Sequence, residues 1–216
     1  MKQTLTQLKS STSSIIDRLE REYPDAHCAL LHESPFQLLI ATILSAQCTD
    51  ERVNIVTRTL FVKYPTPVEF ATIPIEELER DIYSTGFYKA KAKNIQACCR
   101  QLIERFNGEI PQTMDELHSL PGVGRKTANV VLGNAFDIAV GVTVDTHVTR
   151  ICSLLGLTKG KNPEAIEQEL MVVVPQEKWT NFTHLIISHG RKICIARRPK
   201  CGECVLSDIC PSSLVK

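Results

Sequence analysis

The chain has 216 residues, 43% of them hydrophobic and 23% charged, with a formal net charge of +1 at pH 7. That is ordinary globular usage: it excludes a disordered chain and corresponds to one large domain or two small ones. No apolar run approaches the roughly 20 residues of a membrane span, and the opening MKQTLTQLKSSTSS lacks the apolar core and cleavage site of a signal peptide.

The elements predicted along the chain are nearly all helices. The opening segment is Ser/Thr-rich and low in acid but has none of the arginine of a transit peptide. Ser34-Pro35 is an N-cap followed by proline at the first helical position, and it opens a helix over 36–46. Asp50 caps a helix to Tyr64. Pro74 opens one through Ser84, ended by Gly86. Residues 89–106 form a long helix charged on one side and stopped by Asn107-Gly108. Thr113-Met-Asp-Glu116 is a capping box for a short helix ending near Ser119. A tight turn, Leu120–Gly124, leads into a helix over 125–136. Asp145 or Thr146 starts a helix to Leu155, Asn162-Pro163 one to Val173, and Pro175 one to Ser188. The β-branched runs 140–144 and 172–174 are short and isolated; a lone strand has no partner, so they read as loop or helix end. The expected fold class is all-α.

Charge is uneven. Lys178, Arg191, Lys192, Arg197, Arg198 and Lys200 occupy a stretch without acids, whereas five acids and one base fall between Glu69 and Asp81. A basic end on a near-neutral chain either binds a polyanion locally or is a solvated face.

The nine cysteines divide in two. Cys28, Cys48, Cys98, Cys99 and Cys152 are scattered and read as small buried hydrophobes. The odd total and the missing secretion signal argue against a disulfide framework. Cys194-x6-Cys201-x2-Cys204-x5-Cys210 places four thiols in one loop. Such a set suits tetrahedral zinc or a [4Fe–4S] cluster; a single Cys-x2-Cys with longer, unequal gaps favours the cluster without settling it. The loop projects Arg197, Arg198 and Lys200, placed to meet phosphates.

In Leu120-Pro-Gly-Val-Gly-Arg-Lys126, two glycines permit positive φ and leave backbone N–H groups uncovered at the positive end of a helix. Such a turn binds phosphate without reading sequence, or is a plain tight turn. Lys126 falls in that helix's first turn, where the dipole disfavours a charged ammonium. A neutral lysine attacks carbon or forms a Schiff base; a charged one binds phosphate. Asp145, after the run 140–144, reads on its own as an N-cap.

Taken together these motifs resemble the endonuclease III family of the helix-hairpin-helix DNA glycosylase superfamily. The resemblance runs from Phe36 to Cys210 and rests on Leu44-Ser-Ala-Gln-Cys-Thr-Asp50, Gly86-Phe-Tyr-Lys-Ala90, Leu120-Pro-Gly-Val-Gly-Arg-Lys-Thr-Ala-Asn129, Val144-Asp-Thr-His147 and the four-cysteine spacing. It implies two helical domains: a six-helix barrel over 27–137 that carries the hairpin (113–136), and a domain of 1–26 with 138–216 that holds a [4Fe–4S] cluster on Cys194, Cys201, Cys204 and Cys210. It implies a cleft where Lys126 and Asp145 meet.

The implied activity is base excision repair of oxidised pyrimidines in duplex DNA. The nucleotide is flipped out, Lys126 attacks C1′, Asp145 stabilises positive charge or positions Lys126, and β-elimination cuts 3′ to the lesion. Gln47 would fill the gap, and Phe87 stands where relatives often carry a Leu wedge. Cys48 replaces a residue that is often Ala, with little consequence expected. Gly122, Val123, Gly124, Arg197, Arg198 and Lys200 would contact DNA. Read structurally, Gln47 is a helix-end residue and Phe87 a core aromatic; the histidines and Trp179 are structural. The further expectations are a monomer, a cytoplasmic, nucleoid-associated location and no membrane partner. The alternatives are a monofunctional mismatch glycosylase, whose members tend to carry Ser or Tyr in place of Lys126, and a non-catalytic DNA-binding protein with a zinc loop.

Overall fold

The structure, a computed structural model, describes residues 4–215; the reading of the extreme N-terminus rests partly on residues 1–3, which lie outside that range. The helices are α1 (Leu5–Glu22), α2 (Pro35–Ser45), α3 (Asp50–Lys63), α4 (Pro67–Thr72), α5 (Ile75–Ile82), α6 (Tyr88–Phe106), α7 (Met114–His118), α8 (Arg125–Ala135), α9 (Thr146–Leu154), α10 (Pro163–Val173) and α11 (Trp179–Lys192). Single 3₁₀ turns occupy Tyr83–Thr85, Gln176–Lys178 and Cys201–Glu203. No strand occurs among the described residues, so the fold is all-α and the run 140–144 is loop. No helix among the described residues is long and apolar enough to cross a membrane.

Contacts gather the chain into two units, Cys28–Val140, and Met1–His27 with Gly141–Lys216. The first holds α2 to α8. Ser34 accepts the Gln37 N–H at 3.2 Å and Pro35 takes the first helical position, so α2 starts where the dipeptide predicts. Every residue of α2 from Phe36 to Leu44 except Gln37 is buried. A helix apolar on all sides belongs inside, and α3, α6 and α8 pack around it. Each fully buried Leu, Ile or Phe here, such as Leu38, Phe70, Ile82 and Ile95, contributes roughly 1.5–3 kcal/mol. The rings of Phe36 and Tyr64 meet Phe70 edge-on, with centroids 5.6 and 5.4 Å away. Cys98 and Cys99 are buried on α6, and Cys28 and Cys48 are half-buried against this core.

Three departures from expectation lie in this unit. Thr49, not Asp50, caps α3, its hydroxyl accepting the Arg52 N–H at 3.3 Å. Helix α4 escapes the sequence reading, yet Thr66 and Glu69 form a reciprocal capping box with Pro67 at N1. Helix α5 ends at Ile82 and is continued by the 3₁₀ turn, while α6 begins at Tyr88 behind Phe87, whose φ of 48° is left-handed.

The second unit packs α1 on α10 and α11, and α9 on α11. Helix α1 contains Lys-Ser-Ser-Thr-Ser-Ser, a weak helix former, and tertiary burial of Ile15, Ile16 and Leu19 overrides that weakness. Thr12 is buried by turning its hydroxyl back to the Leu8 carbonyl at 2.8 Å. Arg18 reaches the carboxylate of Asp208 and the Val205 carbonyl, which ties α1 to the C-terminal loop. Trp179 is buried and donates its indole N–H to the Val174 carbonyl at 2.9 Å. Helix α11 runs past Ser188 to Lys192.

Helices α9 and α11 approach each other at Gly190, where an added Cβ would stand 2.4 Å from His147 Nδ1 and 2.9 Å from Ile151 Cδ1. Gly190→Ala is therefore expected to lower the unfolding free energy by about 1–3 kcal/mol, the usual cost of overpacking. Urea denaturation followed by circular dichroism reads this as a lower midpoint; an unchanged midpoint would mean the helices part freely.

Candidate functional site

In the Cys28–Val140 unit, α7 and α8 flank the turn 119–124. Thr113 caps α7 by accepting the Glu116 N–H. Gly122 uses positive φ, 78°, whereas Gly124 is extended, φ −85° and ψ 171°, and serves as N-cap of α8. No side chain caps α8. Val123 is buried in the core and donates its amide to the Leu120 carbonyl at 3.1 Å. The Gly122 and Gly124 amides take no part in the turn's internal bonding among the described residues. Both glycines and Lys126 are exposed, with Lys126 in the first turn of α8. The turn thus presents glycine amides, a helix dipole and an amine on one short segment, the groups that hold an anion.

Gln47 and Phe87 follow the ends of α2 and of the 3₁₀ turn. Both are non-glycine residues with positive φ, 52° and 48°, and both are exposed, Phe87 by 64%. A core role for Phe87 is thereby excluded. Positive φ costs energy at such residues and collects at functional positions.

In the other unit, Asp145 is half-buried and caps α9 by accepting the Val148 N–H at 2.8 Å. Lys126 and Asp145 therefore belong to different units.

Cys194, Cys201, Cys204 and Cys210 line one cavity of about 200 Å³, with Ile151, Leu154 and Leu206 on its walls. Among the described residues no three His, Cys, Asp or Glu side chains gather around a point that one ion would fill; the thiols surround a volume instead. Burial pushes the Cys204 and Cys210 thiols up, and neighbouring cysteines of the set push them further. Four converging thiols in apolar surroundings fit a polynuclear iron–sulfur group, whose cationic iron offsets that repulsion.

Donors surround the sulfurs. The Leu206 N–H points to Cys204 Sγ at 3.4 Å. Arg150 donates to the Cys194 carbonyl at 2.7 Å and lies 3.6 Å from its Sγ. His189 is buried, with Nδ1 3.0 Å from the Tyr23 hydroxyl and Nε2 3.5 Å from Cys204 Sγ. Burial, helped by Arg150, pushes the His189 imidazole down to about 4, and burial lifts Tyr23 to about 12. The neutral ring thus bridges the Tyr23 hydroxyl on Nδ1 and the Cys204 sulfur on Nε2. Arg197, Arg198 and Lys200 are exposed on the same loop, and Lys200 lies 4.0 Å from Glu203.

Sequence reasoning passed over Arg150 and gave His189 only a structural role, since a histidine and an arginine on helices carry no ligand spacing. It also passed over Lys91. That residue is 5% exposed, and its Nζ donates to the Leu44 and Thr85 carbonyls at 2.8 Å each; burial pushes its ammonium below the usual lysine range. A lysine on a charged helix reads as solvated, and no local signal marks it otherwise.

Residues 40–176 match the model of the HhH-GPD superfamily of base excision DNA repair proteins, and residues 194–210 match the iron–sulfur binding domain of endonuclease III. The chain is 55% identical over 205 residues to endonuclease III of Synechocystis sp., covering 95% of this chain and 94% of that one. It is 44% identical to the Escherichia coli endonuclease III, covering 94% and 95%. A solved structure of a trapped endonuclease III–DNA covalent intermediate superposes with a TM-score of 0.90 at 47% identity, covering 94% of this chain and 96% of that one. A thermostable thymine-DNA glycosylase shares the fold, with a TM-score of 0.85 at 23% identity. The chain belongs to the endonuclease III family: it is a DNA-binding base excision repair enzyme, a glycosylase with abasic-site lyase activity, and it carries a [4Fe–4S] cluster.

Proposed function

We propose that Lys126 is the nucleophile and that the substrate is duplex DNA carrying oxidised pyrimidines or abasic sites. The observation that carries this reading is the exposed amine in the first turn of α8, directly behind the uncapped glycine turn. Glycine amides and the helix dipole hold a backbone phosphate there, which sets the register without reading sequence. The Lys126 amine, once it has given up its proton, attacks C1′ of a flipped nucleotide. The C1′–N bond breaks, the base leaves with its electron pair and takes a proton, and the sugar ring opens to an iminium at C1′. Loss of the 2′ proton then expels the 3′ phosphate by β-elimination. Asp145 stabilises the positive charge that develops on the sugar, or takes the proton from Lys126.

Gln47 fills the space the nucleotide leaves and Phe87 wedges beside it. Arg197, Arg198 and Lys200 meet phosphates along the duplex. Cys194, Cys201, Cys204 and Cys210 hold the cluster, which when bound ties this loop together through iron–thiolate bonds. The enzyme acts as a cytoplasmic monomer at the nucleoid, where a family that acts on DNA finds its substrate.

Borohydride added to the protein on a duplex with one thymine glycol is expected to trap a covalent adduct that Lys126→Gln abolishes while keeping lesion binding. Trapping by the pure variant would remove Lys126 from its role. Arg198→Ala should lower affinity alike on all sequences and reduce the slope of log K against log salt by about 0.9; an unchanged slope would take this loop off the DNA. Cys204→Ser is expected to lose the yellow-brown cluster absorbance and to melt at lower temperature, and a coloured, equally stable variant would show that Cys204 is not a ligand.

A further inference from the structure

Gln47 and Phe87 lie forty residues apart in sequence, on separate loops, yet the same buried side chain stands behind both. Lys91 Nζ donates to the carbonyl of Leu44, three residues before Gln47, and to that of Thr85, two residues before Phe87. The Leu44 carbonyl belongs to the last turn of α2 and the Thr85 carbonyl to the end of the 3₁₀ turn. Both are C-terminal helical carbonyls with no partner of their own further along the helix, and both bonds are buried. Beyond the Leu44 carbonyl the chain turns to positive φ at Gln47, and beyond the Thr85 carbonyl at Gly86 and then at Phe87, so that both Gln47 and Phe87 are left-handed without being glycine. Such backbone persists where surrounding structure over-determines it, and a desolvated ammonium bonded to two carbonyls is a strong local constraint.

Helix α6, which carries Lys91, reaches the third loop as well. Asn94 stands one turn on, on the same face as Lys91, and Gly122 comes so close that an added Cβ would meet Asn94 Cβ at 2.9 Å. The first half of α6 thus touches the gap-filling loop, the wedge loop and the phosphate-binding turn, all within the Cys28–Val140 unit.

We propose that Lys91 is a positioning residue for nucleotide extrusion: its ammonium ties the end of α2 to the turn before α6, and so holds Gln47 and Phe87 at a fixed separation to enter the duplex together. The inference rests on the reading that Gln47 and Phe87 insert. Lys91 itself touches neither the DNA nor the reacting atoms.

Lys91→Met keeps the length of the stem and removes the donors. The readouts are the fluorescence of 2-aminopurine placed opposite an abasic analogue, which rises when inserted side chains disturb its stacking, and borohydride trapping on duplex against single-stranded abasic DNA, where nothing need be extruded. The expected result is loss of the 2-aminopurine response and a tenfold fall in the ratio of duplex to single-strand trapping. Equal loss on both substrates, or an unchanged ratio, would overturn the proposal. Circular dichroism establishes that the variant is folded; if it is not, Lys91→Gln, which can still donate to one carbonyl, is measured in its place with the same two outcomes. Gln47→Ala and Phe87→Ala separate the two levels of the argument. If they leave the 2-aminopurine response intact, the insertion reading fails and takes this proposal with it. If they abolish the response and the Lys91 variant does not, only the role of Lys91 fails.

Discussion

An α-helix leaves its first N–H groups and its last C=O groups without partners inside the helix, and an all-helical chain can place its chemistry there. This protein does so around its glycine turn and the loops beside it. Lys126 stands in the first turn of α8 behind an N-cap that brings no side chain, and Asp145 is itself the N-cap of α9. Phe87 is the N-cap of α6, and Gln47 follows the last turn of α2. Lys91 reaches back to take up two of the orphan carbonyls. The interior of each helix supplies packing, and the ends supply donors, acceptors and dipole.

Charge follows the same division between structure and function. Two carboxylates of the acid-rich stretch from Glu69 to Asp81 are engaged locally: Lys63 bridges Glu77 and Asp81 at 2.7 and 2.8 Å, and the Tyr64 hydroxyl bonds to both. Those contacts hold the carboxylate of Glu77 below its usual range, with Lys63 the largest cause. The contacts join α3 to α5. On the cysteine loop Arg197 and Arg198 stay exposed. A near-neutral chain can therefore present a locally cationic face.

Much of this was legible in the sequence because it is written in short-range signals. Ser34-Pro35, Asn162-Pro163 and Asn107-Gly108 mark helix ends where the structure has them, and the cysteine spacing and glycine turn carry enough specificity to indicate the family. The all-α class follows from the caps and from the isolation of the two β-branched runs. What stayed hidden depends on contacts distant in the chain. Helix α1 has a poor composition and exists because α10 and α11 cover its apolar side. Helix α4 has a capping box but only six residues, too few to show a period. Lys91, Arg150 and His189 have ordinary surroundings in sequence; the partners that give them meaning are up to 166 residues away.

That separation has a consequence for how the protein is made. Cys28–Val140 is one uninterrupted stretch, so its core can close as soon as those residues have left the ribosome. The other unit is assembled from both ends of the chain, and Arg18 finds Asp208 across 190 residues. Its first helix, with Ile15, Ile16 and Leu19 on its apolar side, must wait while residues 28–140 are made before its partner helices α10 and α11 are synthesised. Six of its eighteen residues are serine or threonine, so the waiting segment is polar along much of its length.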